Sequence, residues 1–222
     1  MSAKIVLATA ASLLALAASP VHADLIYNFD PANTFSGTAP AGTLTVQFHT
    51  VSTGQVLMTI TSNLATGENL DPGEAIDLNI VPALSGDLGS LNFALQSNTG
   101  FSQAASVQQG EDAFKADGDG FYDISVTYSP STKAFTTGQA QTYLVTGTGI
   151  TESSFDALSS PGGGSGPFFA AIHVQNTPSG GSGSAWVSSA PDPSGAVPEP
   201  ASLTIFGVGL GVFGLLRRRL LH

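Results

Sequence analysis

Apolar and polar side chains alternate with period two along most of the chain. Leu44, Val46 and Phe48 are interleaved with Thr43, Thr45 and Gln47, and Val56, Met58 and Ile60 follow in the same way. Further sets are Ile76, Leu78 and Ile80; Leu91, Phe93 and Leu95; Tyr122, Ile124, Val126 and Tyr128; and Tyr143 with Val145. Phe168, Ala170, Ile172 and Val174 make another, and Ala185-Trp186-Val187 closes the series. Successive side chains of a strand point to opposite faces of a sheet, so this spacing predicts short, half-buried strands. The stretches between them are rich in Gly, Pro, Asn, Asp and Ser, the residues of turns between antiparallel strands. The expected fold is all-β: an antiparallel β-sandwich over residues 24–187, with a jelly roll as one variant. Gln103 to Ala116 has room for one short helix, interrupted by Gly110. Two Gly- and Ser-rich segments, Ser159 to Gly166 and Thr177 to Ser184, are expected as mobile loops at the two ends of the Phe168 strand. Residues 188–196 read as a Pro-, Ser- and Gly-rich spacer.

The two ends break this pattern. Lys4 precedes an uninterrupted apolar run from Ile5 to Ala18, and Pro20, Val21 and Ala23 follow. A basic start, a short apolar run and small residues at the −3 and −1 positions make a secretory signal peptide over residues 1–23, with signal peptidase cutting before Asp24. At the other end Ala201 to Leu216 carries no charge and Arg217, Arg218 and Arg219 follow at once. A helix of this length reaches roughly 24 Å, enough to cross a membrane with some thinning. The arginines hold the C-terminus on the cytoplasmic side. The domain ahead of them is then outside the inner membrane, and its only membrane contact is this helix.

Val197-Pro198-Glu199-Pro200, the short Gly-bearing apolar segment and the Arg217–Arg219 cluster together resemble the PEP-CTERM sorting signal. The resemblance implies recognition by an exosortase, a cut near the Pro-Glu-Pro motif and transfer to the cell surface or to exopolysaccharide. Gly147 to Ile150, Ser154-Phe155, Pro161 to Phe169 and His173 to Gln175 also look like a domain that recurs among PEP-CTERM proteins, a likeness that implies no activity. A hydrophobic tail that is removed after serving as an address follows the same logic as a GPI signal.

Composition narrows the function classes. Residues 24–196 contain 15 of the 16 acidic side chains and only two basic ones, Lys115 and Lys133, a formal charge of −13. Such a surface repels nucleic acid. The chain has no cysteine, which excludes thiol catalysis and cysteine-held metal centres. No G-x-S-x-G nucleophile elbow is present, and His49 and His173 stand isolated in the sequence as surface histidines.

Asp117-Gly118-Asp119-Gly120-Phe121-Tyr122-Asp123 is the sharpest local motif. Aligned on the glycine of a calcium loop, it offers Asp117, Asp119 and Asp123 as side-chain ligands and the backbone carbonyl of Phe121. Lys115 falls on the first ligand position, and Glu111 or Asp112 is then needed to complete the set. The same residues also fit a plain Asp-Gly hairpin turn. Asp71, Glu74 and Asp77 form a second acidic group beside Pro72-Gly73, read as a solvated loop entering a strand, with a second cation site as the alternative. Phe169 and Trp186 are candidate glycan contacts. The expected function is a non-catalytic surface or matrix protein, processed by exosortase and associated with exopolysaccharide or biofilm, requiring no cofactor. A calcium-dependent carbohydrate-binding module is the alternative, and a secreted hydrolase comes third.

Overall fold

The computed structural model describes residues 23–74, 76–100, 102–117, 119–129, 133–178 and 183–189. The expected signal peptide up to residue 22, the spacer from residue 190, and the whole sorting tail with Val197–Pro200 and Arg217–Arg219 lie outside these residues. Among the described residues no helix is long and apolar enough to cross a membrane.

Twelve strands run in chain order: β1 (Leu25–Phe29), β2 (Thr34–Gly37), β3 (Thr43–Ser52), β4 (Gln55–Asn63), β5 (Asn69–Leu70), β6 (Ile76–Leu78), β7 (Asn92–Thr99), β8 (Ser106–Ala116), β9 (Asp119–Thr127), β10 (Ala140–Thr146), β11 (Ala170–Thr177) and β12 (Gly183–Ser189). They build two antiparallel sheets. One has five strands in the order β1-β3-β4-β10-β7; the other has seven, β2-β12-β11-β6-β9-β8, with β5 also on β11.

The two sheets face each other across one apolar core, and the period-two pattern explains why. Leu44, Val46 and Phe48 of β3 and Val56, Met58 and Ile60 of β4 are fully buried, while the threonines between them are half-buried on the outer face. They share a cluster with Ile76, Leu78, Ile124, Val126, Ile172 and Val174 of the other sheet. Each large apolar side chain buried in this way contributes about 1.5–3 kcal/mol. Phe48 stacks on Phe155 with ring centres 4.4 Å apart, closing one end of the core. At another edge the buried Gln141 accepts from the Tyr143 hydroxyl at 2.6 Å and donates to the Gln103 carbonyl at 2.8 Å, so this polar side chain enters the core with its partners.

Three sequence expectations need correction. The segment expected to hold a short helix forms β8 instead, paired with β9 at the edge of the large sheet. Its Gln, Glu, Ala and Lys residues favour helix locally, but the pairing partner overrides that preference. Ser188 and Ser189, assigned to the spacer, belong to β12. The Ser159–Gly166 segment is tied down at its start: Ser159 and Phe168 exchange hydrogen bonds, as do Ser160 and Phe121.

Candidate functional site

The outer face of the seven-stranded sheet differs from that of the five-stranded one. Residues directly opposite in an antiparallel pair share a face. The register therefore lays one row across the sheet: Gln108, Ser125, Asp77, Ala171 and Ser188. Asp77 sits between Ile76 and Leu78, whose side chains enter the core, so its carboxyl goes outward. Small side chains on both sides of it leave a trough. Two residues further along β11, the next row holds His173, Trp186 and Ser36.

A hairpin arm folds over this face. The β8–β9 register breaks between Gln109 and Phe114, with Asp112 in the left-handed region at φ 51°. Beyond this bulge Ala116 and Tyr122 leave the plane of the sheet and pack on Ala171 and Trp186, with Phe114 and Phe35 alongside. A bulge bends its strand in this way. The arm is pinned near its tip by the Phe121–Ser160 backbone pair, at 2.8 and 3.1 Å. Gly120, at φ 76°, lies against Ser159, and a Cβ on Gly162 would stand 2.8 Å from the Gly120 nitrogen. Both glycines are needed for that approach.

Two depressions flank the arm. One of about 350 Å³ is lined by Glu74, Asp77, Gln108, Phe114, Lys115 and Ser125 among others. The second, about 320 Å³, is lined by Glu74, Asp117, His173, Trp186 and Ser36 among others. Glu74 lines both, so the two depressions adjoin at a carboxylate and together make the groove of this face.

The chemistry of the groove centres on Asp77. It is 3% exposed, and its Oδ1 has no hydrogen-bond partner. Burial pushes this carboxyl up to about 7; a hydrogen bond with Ser125 opposes that displacement, and the charge of Glu74 adds to it. The His173 ring stacks on Trp186 with centres 4.6 Å apart and planes within 4°. His173 Nδ1 lies 3.4 Å from Asp71 Oδ2 and 3.7 Å from Glu74 Oε2. Asp71 also accepts from Gly73 N–H at 2.8 Å and from the Gln175 side chain, which fixes the loop carrying Glu74. Lys115 is the groove's one ammonium among the described residues, and it lies 5.0 Å from the centre of the Phe121 ring.

The motif expected to bind calcium is distributed differently. Ala116 pairs with Asp119, so Asp117 lies in the turn at the tip of the arm. Asp123 is turned away from that tip: it accepts from Ile80 N–H at 3.1 Å and Asp112 N–H at 2.9 Å. It shares a small cavity of about 70 Å³ with Glu111 and Asp112, whereas Asp117 lines the groove. The Phe121 carbonyl accepts from Ser160 N–H. The Asp119 side chain is outside what the structure describes. Among the described residues no group of three or more His, Asp or Glu is placed to hold a metal ion.

Of the two candidate glycan contacts, Phe169 packs on the main core and stacks against Tyr27 at 6.5 Å, away from the groove. Trp186 lines the groove but is only 6% exposed, covered by His173 and the arm. His49 is not in the groove; its Nδ1 lies 2.6 Å from Asp24 Oδ1 at the start of the domain. In the sequence Asp77 and Glu74 read as acids of a solvated loop, with a second cation site as the alternative. The available signal was the Ile76-Asp77-Leu78 alternation, which puts the carboxyl on the face opposite the core.

The fold and groove define an acidic, all-β protein of two antiparallel sheets. Its C-terminal residues 196–219 match the family model of the PEP-CTERM protein-sorting motif. Neither the curated proteins nor the solved structures contain a match to the chain. The chain thus carries a PEP-CTERM sorting tail, and that motif implies export, processing by an exosortase and delivery to the surface.

Proposed function

We propose that this is a non-catalytic surface or matrix protein, released by exosortase and held in exopolysaccharide or biofilm. The observation that carries the reading is the sorting motif at residues 196–219, placed behind an acidic β-domain. In this reading signal peptidase removes residues 1–23. The apolar segment from Ala201 to Leu216 anchors the chain across the inner membrane until the tail is cut, and the domain then leaves for the matrix. The β3–β4, β8–β9 and β11–β12 hairpins each stay within their own sheet, unlike a jelly roll, whose successive strands alternate between sheets.

The test compares producing cells with cells lacking the exosortase. Intact mass of surface-recovered protein should show Asp24 as the first residue and loss of the segment after the Pro-Glu-Pro motif, in producing cells only. Deletion of the gene should alter matrix cohesion without removing a hydrolytic activity. A full-length surface form retaining His222, or a normal matrix in the deletion strain, would falsify the corresponding half of the proposal.

A further inference from the structure

We infer that the groove beneath the β8–β9 arm binds an amino-sugar residue of a polymer, with the ammonium group seated at Asp77 and Glu74. This inference rests on the matrix reading above and names the ligand chemistry of that role.

The first support is Asp77 itself. A buried carboxyl with one oxygen lacking a partner is costly, and natural structures keep few of them. Asp77 Oδ1 has none and is itself covered, although the residue lines an open groove of about 350 Å³, so a ligand reaches it as the carboxyl turns toward the groove. That volume lies at the small end of the range for small-molecule sites, about 300–1,000 Å³. A donor from a ligand satisfies the oxygen. A cationic donor does more, because it compensates the charge that burial and Glu74 otherwise disfavour.

Charge complementarity gives the second support. With 15 acids against two bases over residues 24–196, the domain attracts cationic polymers and repels anionic ones. Glu74 stands at the join of the two depressions, within reach of a ligand in either. Lys115 is the one cation on this face among the described residues, and Glu74, Asp77 and Asp117 outnumber it, so the net charge of the groove still favours a cationic polymer.

The third support separates a sugar from a lysine side chain. The groove also presents the Gln108 amide, and the Ser125 hydroxyl that bonds Asp77 keeps a lone pair to accept from a ring hydroxyl. Phe114 on one side of the arm and the Trp186–His173 pair on the other add apolar surface. A lysine side chain would use the carboxylates and leave the neutral groups idle.

The test is titration calorimetry on the full chain in mild detergent, at about pH 7, where a large share of both the Asp77 carboxyl and an amine of this kind is ionised. The probes are a glucosamine oligomer, the matching N-acetylglucosamine oligomer and a lysine oligomer. The glucosamine oligomer should bind at least tenfold more tightly than either other probe. Asp77→Asn and Glu74→Gln should each weaken it about tenfold or more, the loss of one charged contact worth about 1.4 kcal/mol. Unchanged melting of Glu74→Gln, an exposed position, shows that the loss is not unfolding. Equal binding of the acetylated oligomer would make this a neutral-sugar groove, and equal binding of the lysine oligomer a peptide groove. Either result overturns the inference, as does binding of none of the three. The matrix reading is judged separately by the deletion strain: an altered matrix with no groove binding leaves that reading standing and removes this one.

Discussion

Glu68 and Asp77 are buried to nearly the same depth, at 2% and 3% exposure, yet their surroundings differ in kind. Glu68 reaches from the β4–β5 connection to the loop before β3 and accepts three backbone hydrogen bonds: from Ala41 at 2.6 Å, Gly42 at 3.2 Å and Ala65 at 2.9 Å. Its carboxylate replaces water for three amides that have no strand to pair with. Asp77 has Ser125 on one side, an oxygen without a partner, and a second carboxylate, Glu74, as its charged neighbour. One acid closes the fold around itself. The other leaves an unmet requirement in an accessible groove. Burial alone therefore does not say whether an acid is structural; the count of donors around it does.

The comparison breaks most visibly if Glu68 is removed. Glu68→Ala orphans three amides, each costing about 1–3 kcal/mol, so a loss on the order of 5 kcal/mol is expected in denaturant unfolding. A loss below about 1 kcal/mol would mean that water replaces the carboxylate and that the contrast with Asp77 is false.

Asp77→Asn should act in the opposite sense. The Asp77 carboxyl, ordinarily near 3.8, is pushed up to about 7, so the folded chain holds its proton more tightly than the unfolded chain does. Its contribution to stability is therefore full below about pH 4 and is lost as pH rises through 7. At about 1.4 kcal/mol for each tenfold change in proton affinity, the loss is at most about 4 kcal/mol. The Asn variant, which carries no such charge, should be more stable than wild type at pH 8 by a few kcal/mol and equal to it near pH 4. Parallel stability profiles for the two proteins would show that Asp77 is not desolvated.

Asp123 sharpens the contrast at smaller scale. Asp123→Ala removes the acceptor for Ile80 and Asp112 N–H, and a loss of about 2–3 kcal/mol follows. Because both oxygens already hold backbone donors, millimolar calcium should move the wild-type melting temperature by less than about 1 °C. A larger shift that vanishes in Asp119→Ala would restore a cation at the arm tip.

How much of this was legible beforehand follows from what alternation can and cannot carry. Strands β3, β4, β6, β7, β9, β10, β11 and β12 were readable because apolar side chains recur at every second position. Strands β1, β2 and β8 were not: β1 is five residues long, β2 four, and β8 carries mostly polar and charged side chains. β5 is two residues long and leaves no period to detect. The groove was half legible: the sequence put His173 on the outer face and left Asp77 in a loop, and only the pairing register set them beside Trp186 and Ser125. The arm that roofs them depends on a bulge at residues 110–113 and on the close approach of Gly120 and Gly162. No local pattern announced that contact between segments some forty residues apart. The same contact is why Asp117, Asp119 and Asp123 read as one motif in the sequence while the fold sends Asp117 and Asp123 to different cavities.

The most direct test of the account is a carbon-13 NMR titration of the Asp77 carboxyl, assigned by loss of its signal in Asp77→Asn, with and without the glucosamine oligomer. The account predicts a midpoint near 7 in the free protein and a lower midpoint when an ammonium group occupies the groove. A midpoint near the ordinary 3.8 that the oligomer leaves unmoved would contradict it, for Asp77 would then be an ordinary hydrated acid and the groove an empty fold of the surface.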